Sequence, residues 1–418
     1  MHFLLAISFF CVCSLAAGPL HVDVSARSAI LINAETGVLL FEKEAHRPSY
    51  PASITKVATA LYALEKKGHV LDEMATATRE CIIQYGAKGK KTEIDYGMEV
   101  DGTNIGLRLG ESLSLRVLLY GLLLSSGNDA ANLIARHISG DFESFMRDLN
   151  RFLASKGIRE TNFVNPHGYP HVDHKTTAYD MAMITKEALK HPFFCEVVKT
   201  IRFPRPQSNK QPQSYFIQKN RLVKPGPYYY PKAIGIKTGY HSEAGYTMVA
   251  AASHEGRTLV AVVLGCPSPS SRYRDAINLF EAAFKEEPIS RTLFSKADDA
   301  FMREIKGGKS SLHAVLKDDL KIAYFPAEET PFKTVLQWLD LKLPIAQGQL
   351  VGRVDVVAEN GKILQSGPLF ASKNVDKKAF KAFADWCVRY KSSLILSILG
   401  LNVLAGLLYY LKKPKKVF

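Results

Sequence analysis

The chain reads as an α+β protein: an antiparallel sheet covered by helices with an inserted helical lobe, then a small all-β domain, then a C-terminal membrane anchor helix. Three observations predict this. Strand-like runs at both ends of the segment 24–287 flank a block of helical periodicity, so one sheet is assembled from both ends of that domain. Past Pro288 the composition shifts to short strand-like runs, which define a second domain over 289–372. Residues 394–411 are 18 positions without a charge, and as a helix they span about 27 Å, enough for a bilayer core.

At the N-terminus the run from Phe3 to Leu15 is almost wholly apolar, and Ser14, Ala16 and Gly18 suit a signal peptidase. Residues 1–18 are therefore read as a cleaved signal peptide, although its first residues offer His2 and no Lys or Arg. Strands are expected at 29–32 and 38–41 around a turn at 33–37. A helix over 54–67 carries Val57, Ala58, Leu61 and Leu64 on one face and stops at Gly68. Helices follow at 115–124 and 130–137, after Asp141 with Phe142, Phe145, Met146 and Leu149 on one face, and at 177–189. Strands return at 246–252 and 258–264, then a helix at 272–284. The cleft should lie between sheet and lobe.

In the second domain, strands are expected at 321–325, 350–358 and 362–364, with Asn360-Gly361 as a two-residue hairpin turn. It holds no cluster of chemistry-bearing residues and reads as a spacer or docking module. Over 376–393, Phe380, Phe383, Ala384 and Cys387 form a helical stripe among lysines, which reads as a surface-lying amphipathic linker helix. The span 394–411 has Ser397 and Asn402 as its polar residues, Trp386, Tyr390, Tyr409 and Tyr410 at its interfaces, and Lys412, Lys413, Lys415 and Lys416 behind it. The predicted topology is an exported body on the outer, periplasmic face of the inner membrane, tethered through a cytoplasmic basic tail.

A net charge of +14 and a pI near 9.3 favour contact with anionic lipid or anionic wall polymer. Nucleic acid is not an expected partner, since no basic run is interleaved with aromatics and the lysines cluster beside the apolar span. Cys11 and Cys13 fall in the signal, which leaves Cys81, Cys195, Cys266 and Cys387 without metal-ligand spacing. Their disulfide state is open at this point.

Three short motifs carry chemistry. Ser53 and Lys56, three apart at a helix start, point the same way, so an amine that has lost its proton can take one from the hydroxyl, the minimum equipment for acyl transfer. Alone, the pair reads rather as a capping serine with a solvated lysine. Ser126-Gly127-Asn128 lies between two helices, and Lys237-Thr238-Gly239 opens a segment that becomes strand-like at Tyr246.

In this order the three motifs are similar to those of penicillin-binding proteins and class A β-lactamases. With the exported, C-terminally anchored layout, the chain resembles the serine D-alanyl-D-alanine carboxypeptidases, the low-molecular-weight penicillin-binding proteins of peptidase family S11. The likeness includes Asn165-Pro166-His167-Gly168, Thr177-Ala178-Tyr179-Asp180 and Glu243-Ala244-Gly245-Tyr246, and Gln349-Leu350-Val351-Gly352 resembles the family's C-terminal domain. It implies a penicillin-binding/β-lactamase-like fold and removal of the terminal D-Ala from peptidoglycan stem pentapeptides, with β-lactams as inhibitors. It implies Ser53 as nucleophile, Lys56 as base, and Ser126 and Asn128 in proton relay and substrate holding. Lys237, Thr238 and Gly239 would meet the terminal carboxylate together with Arg272, and the backbone N–H groups of Ser53 and Tyr240 would form the oxyanion hole. A lysine buried beside another cation, here Lys237, would act as a neutral amine.

One position departs from the pattern: His241 stands where the family usually has threonine, so an imidazole replaces a hydroxyl donor to the carboxylate. The lysine- and glycine-rich segment 81–101 is also longer than expected and is read as a loop at the cleft mouth. His167, His171, Asp173 and His174 have a spacing that ligates metals elsewhere, but they are read as a loop that positions the chain, with no metal or other cofactor. Glu160 with Asn165 loosely resembles the deacylating loop of class A β-lactamases, one residue too long. The readings set beside carboxypeptidase are D,D-endopeptidase on cross-links, β-lactamase, and a catalytically weak, membrane-anchored wall-peptide binding protein.

Overall fold

The computed structural model describes residues 20–82, 98, 102–297, 300–329, 331–359 and 361–378, together with 8–9, 385–386, 388–389 and 403–404. The chain divides into two compact units. One is formed by Ala16–Glu287 with Phe325–Glu329, the other by Pro288–Tyr324 and Thr330–Phe418 with Met1–Leu15.

The first unit is built on five antiparallel strands, β1 (Ser28–Asn33), β2 (Leu39–Lys43), β3 (Ala233–His241), β4 (Gly245–His254) and β5 (Arg257–Cys266), in the order β2-β1-β5-β4-β3. Both ends of the domain therefore contribute to one sheet. The strands read as unbroken apolar runs because both faces are covered. Ile30, Ile32, Val249, Val260 and Val262 pack into the core shared with the helical lobe, while Leu31, Met248, Leu259 and Val263 face Tyr273, Leu279 and Phe280 of the helix Ser271–Phe284. The lobe holds the helices Lys56–Lys67, Leu115–Leu124, Asn128–Ser139, Phe142–Ser155 and Ala178–Ala188. Three of these starts are capped by side chains: Ser114 accepts from Val117 N–H, Asp141 from Ser144 N–H and Thr177 from Asp180 N–H.

β3 is the strand of this sheet that periodicity did not reveal. Gly235 sits at φ +123 where a Cβ would lie 2.4 Å from the Val198 carbonyl oxygen, and Ile236 follows at φ +88. The register against β4 shifts at the same place, so the alternation is broken by a bulge just before Lys237.

In the second unit, a sheet runs in the order Phe332–Trp338, Leu350–Ala358, Ile363–Ala371, Leu312–Leu316, Ala300–Arg303, and Ile289–Phe294 pairs separately with Leu320–Tyr324. Its core is Leu312, Ala314, Val351, Val354, Val356 and Leu369. The hairpin after Ala358 differs from the expected two-residue turn. Gly361 N–H donates to Ala358 O and Ala358 N–H donates to Lys362 O, both at 2.9 Å, which closes a three-residue loop with Gly361 at φ +83. Gly361 takes the left-handed conformation that glycine adopts without steric cost.

Of the predicted signal, Ser8–Phe9 are described, pairing antiparallel with Val335 and Thr334 at the sheet edge; the rest of 1–18 lies outside the described residues. The same holds for most of the linker 376–393, for the anchor 394–411 apart from Val403 and Leu404, and for most of the loop 81–101. Among the described residues no helix is long and apolar enough to cross a membrane.

Candidate active site

The nucleophile motif sits on a short 3-10 turn, Ala52–Thr55, leading into the helix Lys56–Lys67. This turn is clamped from two sides. Thr247 of β4 donates to Pro51 O at 2.9 Å, and Thr55 Oγ1 donates to Ala52 O at 2.9 Å. Thr55 Oγ1 lies 2.9 Å from His174 Nε2, while Nδ1 of that buried ring accepts the Val164 N–H at 3.1 Å. With Nδ1 accepting, the ring's proton is on Nε2 and goes to the threonine.

Lys56 is wholly buried, and its Nζ has three partners: Asn128 Oδ1 at 2.7 Å, the His167 carbonyl at 2.7 Å and Ser53 Oγ at 3.0 Å. Two of these accept only. A neutral amine in this cage gives its two N–H groups to the two carbonyl oxygens and turns its lone pair to the Ser53 hydroxyl. Burial pushes the Lys56 ammonium well below its ordinary range, with the charges of Lys237 and Lys219 acting the same way and Asp129 opposing. The geometry and the electrostatics thus favour the same, proton-accepting form.

The carbonyl of His167 is presented by a self-capped loop. Asn165 Oδ1 accepts from Gly168 N–H at 2.7 Å and Tyr169 N–H at 3.1 Å, and its amide donates to Tyr169 O at 2.8 Å. Gly168, at φ +94, packs so closely on the nucleophile turn that a Cβ there would fall 1.9 Å from the Ala52 carbonyl oxygen. The Asn-Pro-His-Gly segment is therefore a clamp on the Ser53 turn.

Ser126 is buried at φ +64 between the helices Leu115–Leu124 and Asn128–Ser139. Five non-glycine residues among those described have positive φ, and three adjoin the motifs: Ala52 before Ser53, Ser126 itself, and Ile236 before Lys237. Each such conformation costs of order 1–3 kcal/mol, and their concentration here marks the place where the fold is held against local preference.

The motifs meet in a cleft of ≈ 460 Å3 between sheet and lobe, lined by Ser53, Ser126, Asn128, Lys237, Thr238 and Arg272 among others. Gly239 of β3 runs against the nucleophile turn, where a Cβ would lie 3.0 Å from Ser53 N and 2.4 Å from Thr247 Oγ1. Tyr240, the residue after it, also lines the cleft. Arg272 donates to Gly239 O at 2.9 Å. Lys237 is buried, donates to Thr238 O at 2.7 Å and has its ammonium pulled down to about 7, first by burial and then by Lys219 and Arg272. Lys219, Lys237 and Arg272 line the cleft without an aspartate or glutamate among the lining residues described. An anion bound there would restore the charged lysine and pair with it.

His241 lies at the rim, in contact with the Glu243 carboxylate and edge-on to Tyr169 of the opposite wall with ring centroids 5.7 Å apart. Glu160 is at the surface, 2.6 Å from His46, outside the cleft lining. Among the described residues no group of three or more His, Cys, Asp or Glu is placed to hold a metal ion. Cys81, Cys195 and Cys266 are free thiols. Sequence reasoning missed the His167 carbonyl, Tyr169 and Lys219 as parts of the site. A backbone carbonyl has no sequence signature, and a single lysine in a lysine-rich chain gives no signal.

An antiparallel sheet with an inserted helical lobe, and a buried lysine beside a serine at their junction, defines the penicillin-binding class of serine acyl-transfer folds. Residues 15–268 match the family model described as D-alanyl-D-alanine carboxypeptidase, and 290–377 match the C-terminal domain of penicillin-binding protein 5. The chain belongs to the D-alanyl-D-alanine carboxypeptidase family. It is 28% identical over 370 residues to the D-alanyl-D-alanine carboxypeptidase DacF of Bacillus subtilis, covering 86% of this chain and 90% of the relative. It is 26% identical to DacA of Haemophilus influenzae, over 91% of each. Among solved structures, penicillin binding protein 5 of Haemophilus influenzae superposes with a TM-score of 0.58 at 25% identity, covering 86% of this chain and all of that one.

Proposed function

We propose that this protein is a serine-type D-alanyl-D-alanine carboxypeptidase that removes the terminal D-Ala from peptidoglycan stem pentapeptides through a Ser53 acyl-enzyme. The observation that carries the reading is the Lys56 cage, two carbonyl acceptors at 2.7 Å and the Ser53 hydroxyl at 3.0 Å around one buried amine. Ser53 Oγ attacks the carbonyl carbon of the penultimate D-Ala as its proton passes to Lys56. The oxyanion forms against the N–H groups of Ser53 and Tyr240. The C–N bond breaks, the departing D-Ala nitrogen takes a proton through Ser126, and water then opens the ester to regenerate Ser53. Asn128 holds the substrate amide, and Lys237, Thr238 and Arg272 receive the terminal carboxylate.

The same site accepts β-lactams as acylating inhibitors, and with Glu160 turned to His46 at the surface no glutamate stands among the described lining residues to deacylate them in the β-lactamase manner. The body works outside the cytoplasmic membrane, delivered by the segment 1–18 and tethered by 394–411. The test is D-Ala release from a pentapeptide, run beside an intact-mass time course with a penicillin. Wild type is expected to release D-Ala and to hold a single persistent adduct, and Ser53→Ala to do neither. Release by Ser53→Ala would sink the reading, and an adduct that vanishes within seconds while drug is consumed would make the protein a β-lactamase.

A further inference from the structure

One charged side chain in the cleft has no part in the scheme above. Lys219 follows the hairpin of Arg202–Arg205 and Ser214–Ile217 and lines the cleft beside Lys237. Its Nζ donates to Thr103 Oγ1 at 3.1 Å, and its backbone N–H donates to Leu124 O at 3.2 Å. The Thr103 carbonyl accepts the Asn128 N–H at 2.8 Å, and Asn128 Oδ1 accepts from Lys56 Nζ at 2.7 Å. A line of contacts thus runs from Lys219 through Thr103 and Asn128 to Lys56.

The rest of the Thr103 segment is anchored as firmly. The buried Asp129 carboxylate accepts from Ile105 N–H and Leu107 N–H, both at 2.9 Å, and Arg205 donates to Ile105 O at 2.9 Å. Lys219 has no carboxylate partner among the described residues, although the residue as a whole is exposed. An ordinary surface lysine would turn its ammonium to water. This one is directed to a threonine hydroxyl inside a cleft that already holds two cations, against their repulsion.

We propose that Lys219 is a positioning residue for acylation, its ammonium pinning Thr103 against Asn128 and so fixing the amide oxygen that holds Lys56. The proposal rests on the Ser53 acyl-enzyme reading. Its charge has a second consequence. The charged groups acting on Lys56 are Lys237, Lys219 and Asp129, and Lys219 with Lys237 disfavours the ammonium form of the base. Removing the charge should therefore move the acid limb of the acylation profile to higher pH.

The test is the rate constant of Ser53 acylation by a penicillin as a function of pH, measured separately from drug affinity, on the full chain. Lys219→Arg keeps charge and donor and is expected to stay within about three-fold of wild type with an unmoved acid limb. Lys219→Gln is expected to slow acylation about ten-fold and raise the acid limb by about 0.5 pH unit. Thr103→Val removes the acceptor and keeps every charge, so it should slow acylation with the limb in place. Acylation by Lys219→Gln at the wild-type rate overturns the proposal alone. So does a loss confined to drug affinity, which would make Lys219 a binding residue. A wild type that forms no Ser53 adduct overturns the acyl-enzyme reading and this proposal with it.

Discussion

Single residues carry opposed demands here. Lys237 is buried in a pocket that includes Lys219 and Arg272, so the folded state holds its ammonium near 7 against about 10.5 when unfolded. Above about 10.5 the side chain is neutral in both states; as pH falls toward 7, the unfolded chain takes up the proton first and stability is lost. Below about 7 both states are protonated and the loss is complete. Lys237→Met should therefore stabilise the fold by of order a few kcal/mol at pH 6, with the gain shrinking as pH rises through 7 to 10. Urea unfolding of the two proteins across that range checks it, and a gain that does not change with pH would assign the effect to packing. The cost that Lys237 imposes is the readiness of the site to accept an anion.

At the scale of elements, the motifs are presented by tight backbone packing as much as by side chains. Gly168→Ala would drive a methyl into the Ala52 carbonyl at a φ of +94, so it should displace the nucleophile turn and cost about 2–4 kcal/mol in stability. Thermal unfolding and the penicillin acylation rate should fall together; a variant with wild-type values for both would show that the clamp is dispensable. How far these elements were legible follows from the same physics. The aromatic stripe of Phe142–Ser155 announces its helix because it buries one regular face, whereas Leu115–Leu124 is buried on every side but that of Arg116 and shows as a continuous apolar run. β3 was hidden because Gly235 and Ile236 bend it to aim Lys237. Strands such as Phe332–Trp338, half-buried along much of their length, lack a clean alternation and were missed. Ser53, Lys56, Ser126, Asn128 and Lys237 stood out as spaced motifs, whereas the His167 carbonyl and the Lys219–Thr103 contact exist only once distant segments have been brought together.

At the scale of the whole molecule, the chain returns to the first unit after it has begun the second. Phe325–Glu329 belongs to the first unit, where Glu328 accepts from Arg257 at 2.7 and 3.0 Å and from Asn33 at 3.0 Å, while Phe325 stacks under the same guanidinium at 3.6 Å. Arg257 is buried, with Glu286 as its other acid partner at 3.4 Å. Glu328→Ala removes the nearer carboxylate from a buried cation and should destabilise by about 3 kcal/mol. The melting temperature should drop while kcat of the folded fraction stays unchanged, because Glu328 lies outside the cleft lining. A changed kcat with an unchanged melting temperature would be the wrong result for a structural clasp.

The cleft, with its three cationic side chains and no acid among its described lining, also has a consequence before any bond is made. Its field reaches into solution for about a Debye length, roughly 8–10 Å at ordinary ionic strength, and draws diffusing anions toward the mouth. Encounter with an anionic peptide is thereby hastened in dilute buffer and slowed by added salt. Small oxyanions such as sulfate and phosphate feel the same pull, so they act as competitors, and the apparent affinity of the enzyme becomes a property of the medium as well as of the protein.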